Sequence, residues 1–147
     1  MSFIPETATA KNWKLRFFKK TASTAYAQNS LVDWPDTTPT GYFIPAPAIT
    51  SKLCGITQFV ITASSSDYTS TGLKPVLVPV SGPESTVIAT TTGTAAATDI
   101  GGRYDLSDAV TVDRSASAVG RFFMTGFIST TKTKGYLLTP AMYAAAA

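Results

Sequence analysis

A chain of 147 residues with no histidine and one cysteine is long enough to bury a core without disulfide staples. It cannot build a histidine-based nucleophile or general base, a histidine metal site, or a zinc or iron–sulfur centre. Only 14% of its residues are charged and the formal net charge is +3, so its surface is polar through hydroxyls rather than through a strong field.

No apolar run approaches the roughly eighteen residues of a membrane span, and no membrane contact is expected. The opening Met1-Ser2-Phe3-Ile4-Pro5-Glu6 lacks a basic region followed by an apolar one, which points to synthesis in the cytoplasm. Five of the twelve basic residues, Lys11, Lys14, Arg16, Lys19 and Lys20, fall within ten positions.

In chain order, Ser2 to Ala10 carries Pro5 and small polar residues and reads as an extended arm. In Asn12 to Lys20, Trp13, Leu15 and Phe17 alternate with Lys14 and Arg16, which predicts a half-buried strand with its apolar side inward. Phe18 breaks the alternation and marks a strand end or a contact with another chain. Basic residues interleaved with aromatics also suit a single-stranded nucleic acid. With no second basic patch in the chain, a lysine-guarded strand is the better reading, and nucleic acid is not the expected partner.

From Thr21 to Ile49 the chain is rich in Pro, Thr and Ala. A short apolar element at Leu31-Val32 lies between turn residues, and Tyr42 to Ile49 reads as a short strand passing into an extended crossing. Trp34, beside Pro35, is either core or an anchor for a partner. Leu53 to Thr62 predicts a strand that Gly55 kinks or bulges, and Cys54 reads as a small buried hydrophobe. Ser64 to Gly72 is a polar loop.

Two β-branched runs then flank a Gly-Pro turn, Leu73 to Val80 and Thr86 to Thr91. They predict an antiparallel pair, with Pro75 and Pro79 on one side of an edge or bulged strand. Ala95-Ala96-Ala97 suits one helical turn, Gly101-Gly102 a sharp reversal, and Tyr104 and Leu106 should both point into the core. Val110 to Val112 and a glycine-bent Val119 to Ile128 read as further strands. Thr131 to Gly135 reads as a turn into Tyr136-Leu137-Leu138, and Pro140 as a stop.

About seven or eight short strands and no ordinary helix predict an all-β protein, a single small antiparallel barrel or sandwich with an extended N-terminal arm. The expected organisation is arm and first strand at 1–20, barrel at 21–140 and a short tail at 141–147. Asp99, Asp105, Asp108 and Asp113 cluster in sequence, but their spacing is not that of a calcium loop. Arg103 and Arg114 lie among them, so turn caps and ion pairs are the expected use. No catalytic set stands out, and no metal or cofactor is expected.

The features from Leu53 to Leu138 resemble a known family. They are the strand with Gly55-Ile56, the runs around Val76 and Val87, Ala97-Thr98-Asp99-Ile100-Gly101-Gly102-Arg103-Tyr104-Asp105-Leu106, Gly120-Arg121-Phe122, and Thr125-Gly126-Phe127-Ile128. Together with Tyr42-Phe43-Ile44-Pro45-Ala46 they resemble the small β-barrel capsid decoration proteins of tailed bacteriophages, also called cement or head-auxiliary proteins.

The resemblance implies a non-enzymatic virion protein on the capsid exterior. Such a protein is a homotrimer that bridges major capsid subunits, and its partners are those subunits and itself. The segment 2–20 is then expected to act as a detachable arm whose deletion leaves the barrel folded. Trp13, Arg16, Phe17, Phe18, Lys19, Lys20 and Trp34 are the expected contact residues. A tail or head–tail joining subunit is the first alternative. A carbohydrate-binding module using Trp34, Tyr42, Tyr68 and Tyr104 is the second.

Overall fold

The computed structural model describes residues 2–6, 12–35, 38–46, 52–80, 83–117 and 120–138. The expected C-terminal tail at 141–147, the middle of the arm at 7–11, part of the crossing after Ala46 and part of the Gly-Pro turn lie outside the described residues. The protein is all-β, as expected, with one 3-10 turn at Ala97–Asp99.

Its strands are β1 (Phe3–Pro5), β2 (Trp13–Lys19), β3 (Leu31–Asp33), β4 (Ile44–Pro45), β5 (Leu53–Thr57) and β6 (Leu73–Pro79). They continue with β7 (Val87–Thr92), β8 (Arg103–Asp108), β9 (Thr111–Asp113), β10 (Phe122–Ser129) and β11 (Lys132–Leu137).

Strands β7, β11, β10, β8 and β9 follow one another by antiparallel pairing, and β9 returns to β7 in parallel at Thr91↔Val112 and Thr92↔Asp113. That last pairing closes a five-stranded barrel and removes its edges. Register shifts in β10 at Met124/Gly126 and Phe127/Ser129 supply the bends that closure needs. Opposite the first of these, β10 and β11 approach so closely that a Cβ on Gly135 would collide with the Phe123 carbonyl. The β10–β11 reversal falls at Thr130-Thr131, so Thr131 to Gly135 lies mostly in a strand rather than in the expected turn. Cross-strand stacking of Phe123 on Tyr136, 5.2 Å between ring centroids, fixes that choice.

A second sheet has the order β2-β6-β5-β3-β4. The expected pairing of β6 with β7 is therefore corrected: the two runs belong to different sheets, and the connection between them crosses from one sheet to the other. Within that connection Val80 N and Ser85 Oγ both donate to the Asn12 carbonyl, holding it against the start of β2. Nor is β6 an edge strand, since β2 and β5 flank it. Its prolines are tolerated because the Pro75 carbonyl, accepting from Gln58 N, faces the short β5 side. The ladder to β2 thus loses no donor. Strand β5 is also shorter than expected, ending at Thr57, and Gly55 sits at a bulge against β3 where a Cβ would strike the Leu77 carbonyl.

The middle of the second sheet is covered on both faces. One face contributes Trp13, Leu31 and Ile56 to a cluster shared with Phe3, Val87, Ala89, Leu106, Val112, Phe122, Met124 and Leu137. The other carries Val32, Cys54 and Val76, covered by Tyr26, Phe43 and Ile61 from the loops. Tyr26, Phe43 and Phe59 form an aromatic triangle with centroids 5.3–5.9 Å apart.

The N-terminal segment is woven into this arrangement and is not detachable. Phe3 is fully buried, 6.5 Å from the Phe122 ring, and β1 pairs with Val87–Ala89. Glu6 also pairs with Lys134 at 3.2 Å. Strand β2 pairs with β6 along its full length. Removing residues 2–20 would take Phe3, Trp13 and Lys20 from packed sites, at about 3–5 kcal/mol for the tryptophan alone. We expect the truncated chain to lose its cooperative thermal transition by circular dichroism; a truncation melting within a few degrees of the full chain would refute this.

Candidate interaction surface

Among the described strands, β2 lies at an edge of the second sheet. Its even residues bond to β6, as Val80 N to the Asn12 carbonyl (3.0 Å) and Lys20 N to the Gly72 carbonyl (3.3 Å) show at its two ends. By the period of two, the backbone groups of Trp13, Leu15 and Phe17 point away from the sheet. Among the described residues no strand pairs with them. At the far end the edge is closed, since Phe43 N donates to the Lys19 carbonyl at 3.0 Å.

The side chains of β2 divide by face. Trp13, Leu15, Phe17 and Lys19 share the face of Pro79, Leu77, Pro75 and Leu73 on β6. Of the β2 residues on that face only Trp13 joins the common core, against which Leu77 of β6 also packs. Leu15 and Phe17 were expected to point inward as well, yet they are 52% and 58% exposed, and Leu73 is 59% exposed. The alternation is real, but along β2 the core ends after Trp13, and Leu15 and Phe17 stand in solvent with Leu73. Lys14 and Arg16 occupy the opposite face and are also exposed.

The seven expected contact residues therefore separate. Arg16, Phe17 and Lys19 lie together on the exposed edge. Trp13 is buried and unavailable to a partner. Phe18 is half-buried, edge-on to Trp34 at 5.1 Å, so it belongs to the loop-covered cluster. Lys20 is fully buried, and its Nζ donates to the Tyr68 carbonyl at 3.3 Å and to the Ser70 carbonyl. Its ammonium holds the polar loop onto the sheet, a use that a basic run in sequence conceals. Leu15 and Leu73 complete the exposed surface and were missed: the alternation assigns Leu15 to the core, and Leu73 reads only as the start of a strand.

Trp34 also borders a recess of about 350 Å³ formed with Pro35, Pro39, Thr40, Gly41 and Lys52. The aromatics considered for sugar stacking are divided: Tyr104 packs on the barrel cluster, Trp34 and Tyr68 pack on the other, and Tyr42 belongs to neither.

The acidic run is used for local order. Asp99 accepts from Ala96 N at 2.8 Å and takes a two-pronged bond from Arg114, both at 3.0 Å. Asp105 accepts from Gly120 N, Asp108 from Val110 N and Thr111 Oγ1, and Asp113 from Ser115 N and Oγ. These are the turn caps and the ion pair expected from the spacing. Among the described residues no group of three or more acidic, cysteine or histidine side chains could hold a metal ion. Cys54 is buried, and burial first and the nearby Asp33 second push its thiol up to about 12. It is thus a packing residue.

Neither the models of known protein families nor the sequences of curated proteins match this chain.

The Arg114 guanidinium, with the Ala96 N–H, holds the Asp99 carboxyl below its ordinary range, and Lys74 does the same for Asp67. A depressed folded-state pKa gives stability that is present above the unfolded value of about 3.9 and lost as pH falls through the folded value. The melting temperature should fall as pH drops below about 4, and Asp99→Asn should flatten that fall while lowering stability at neutral pH. An unchanged acid profile in Asp99→Asn would remove the ion pair from the account.

Proposed function

We propose that this chain is a non-enzymatic structural protein of a tailed-phage particle, binding the outside of the capsid and stabilising contacts between major capsid subunits. The observation that carries the reading is the exposed surface of Leu15, Phe17 and Leu73 beside Lys14, Arg16 and Lys19 on an open sheet edge. A folded monomer gains nothing from leaving such residues in water, and contiguous apolar surface with a polar rim marks an interaction site. The resemblance of the Leu53 to Leu138 features to capsid decoration proteins supplies the partner class, and the commitment of the Asp99 to Asp113 carboxylates to turns supports a role without chemistry.

On this reading the protein is a component of the virion exterior. Trimers place several copies of the surface at one lattice site, where weak contacts add through effective concentration. The barrel is the rigid body that spans neighbouring subunits, and the second sheet presents the contact edge.

Co-sedimentation with expanded, DNA-free shells tests this. The wild-type chain should pellet with shells, and Leu15→Asp with Phe17→Asp should reduce binding by at least tenfold while leaving the melting temperature within a few degrees. Equal binding by the double variant would move the contact elsewhere. Rings or tubes of the pure protein in electron micrographs, with no shell binding, would favour a tail or joining subunit.

A further inference from the structure

The N-terminal segment, viewed as an arm, would donate a strand to a neighbour. The geometry points to the opposite: we infer that β2 is an acceptor edge, which takes an extended partner segment in which apolar and acidic residues alternate. The inference rests on the capsid-binding reading for its partner but on the edge itself for its chemistry.

The backbone requirement comes first. The N–H and C=O groups of the exposed residues Leu15 and Phe17 face outward with no described strand beside them. A strand laid along Lys14–Phe17 would satisfy them; buried Trp13 bounds it at one end and the Phe43 bond to the Lys19 carbonyl at the other. The accepted segment is thus short, and its register is limited by those bounds.

Side chains then select its composition. On one face an added strand would lie beside Leu15 and Phe17, which are exposed and backed by Leu77 and Pro75 across β6. Residues on that face must be apolar to remove this surface from water. On the other face it would lie beside Lys14 and Arg16, where opposite charge is favourable and like charge is not. Alternating apolar and acidic residues meet both conditions with the period of a strand.

The same charges argue against a second copy of this chain as occupant. Antiparallel self-pairing would set Arg16 against Arg16 when centred on Arg16, the register that bonds Leu15 to Phe17 of the other copy, and Lys14 against Arg16 twice over when centred on Leu15. Such cationic guarding is how exposed edges avoid pairing with themselves. It leaves the edge open to an acidic strand.

Amide exchange by NMR on the full chain gives the test, with a synthetic peptide of alternating valine and glutamate as probe. Binding should slow exchange at Leu15 and Phe17 by at least tenfold and leave Arg16 unchanged, since Arg16 N–H is already in the β6 ladder. A peptide of alternating valine and lysine should have no effect. Leu15→Pro removes an outward donor without touching that ladder and should weaken binding at least tenfold. Arg16→Glu should lower affinity for the glutamate peptide and raise it for the lysine peptide.

Equal protection by both peptides, protection of even-numbered residues only, or tighter binding of a single-stranded oligothymidine than of the glutamate peptide would overturn the inference. The two readings fail separately. Peptide protection with no shell binding sinks the capsid role, and shell binding untouched by Leu15→Pro and Arg16→Glu sinks the acceptor edge.

Discussion

The packing of the second sheet on the barrel is the constraint on which the rest depends. Five short strands close into a ring, but the apolar cluster they contribute to is completed by Trp13, Leu31 and Ile56 from the other sheet. Small cores are marginal because they bury a small share of their surface. Sharing one cluster between two sheets enlarges the core without lengthening any strand. It also makes the two sheets one cooperative body, so a change at Trp13 is felt in both.

That constraint gives β2 two roles along seven residues. Its first residue locks the sheet to the barrel, and its last neighbours lock the loops to the sheet through Phe18 and the buried Lys20. Burying an ammonium is costly unless its protons are satisfied, and here loop carbonyls accept them. Between the two locks, Leu15 to Phe17 is held extended by its ladder to β6, and no described strand covers its outer edge. A preformed edge loses little entropy when a partner strand arrives, which is the condition for specific recognition by a short contact.

Much of the architecture was legible in the sequence because it rests on local rules. Period-two patterns, proline and glycine punctuation and the lack of helical periodicity marked an all-β chain. The spacing of Asp99, Asp108 and Asp113 among turn residues identified them as caps, and Gly55 was readable as a bulge. Pairing partners were not legible. A β-branched run states that it is a strand and not which strand it joins, so β6 and β7, adjacent in sequence, were matched to each other although they lie in separate sheets.

The candidate surface divides in the same way. The sequence by itself determined the strand at Trp13 to Lys19, the alternation of its two faces and the concentration of positive charge there, since those follow from residue order alone. Only the tertiary structure decided where along that strand the core stops. Burial depends on what stands opposite, and the barrel reaches Trp13 but not Leu15 or Phe17. The same limit separates Lys20, enclosed by loop carbonyls, from Lys14 and Arg16, which keep their charge at the surface.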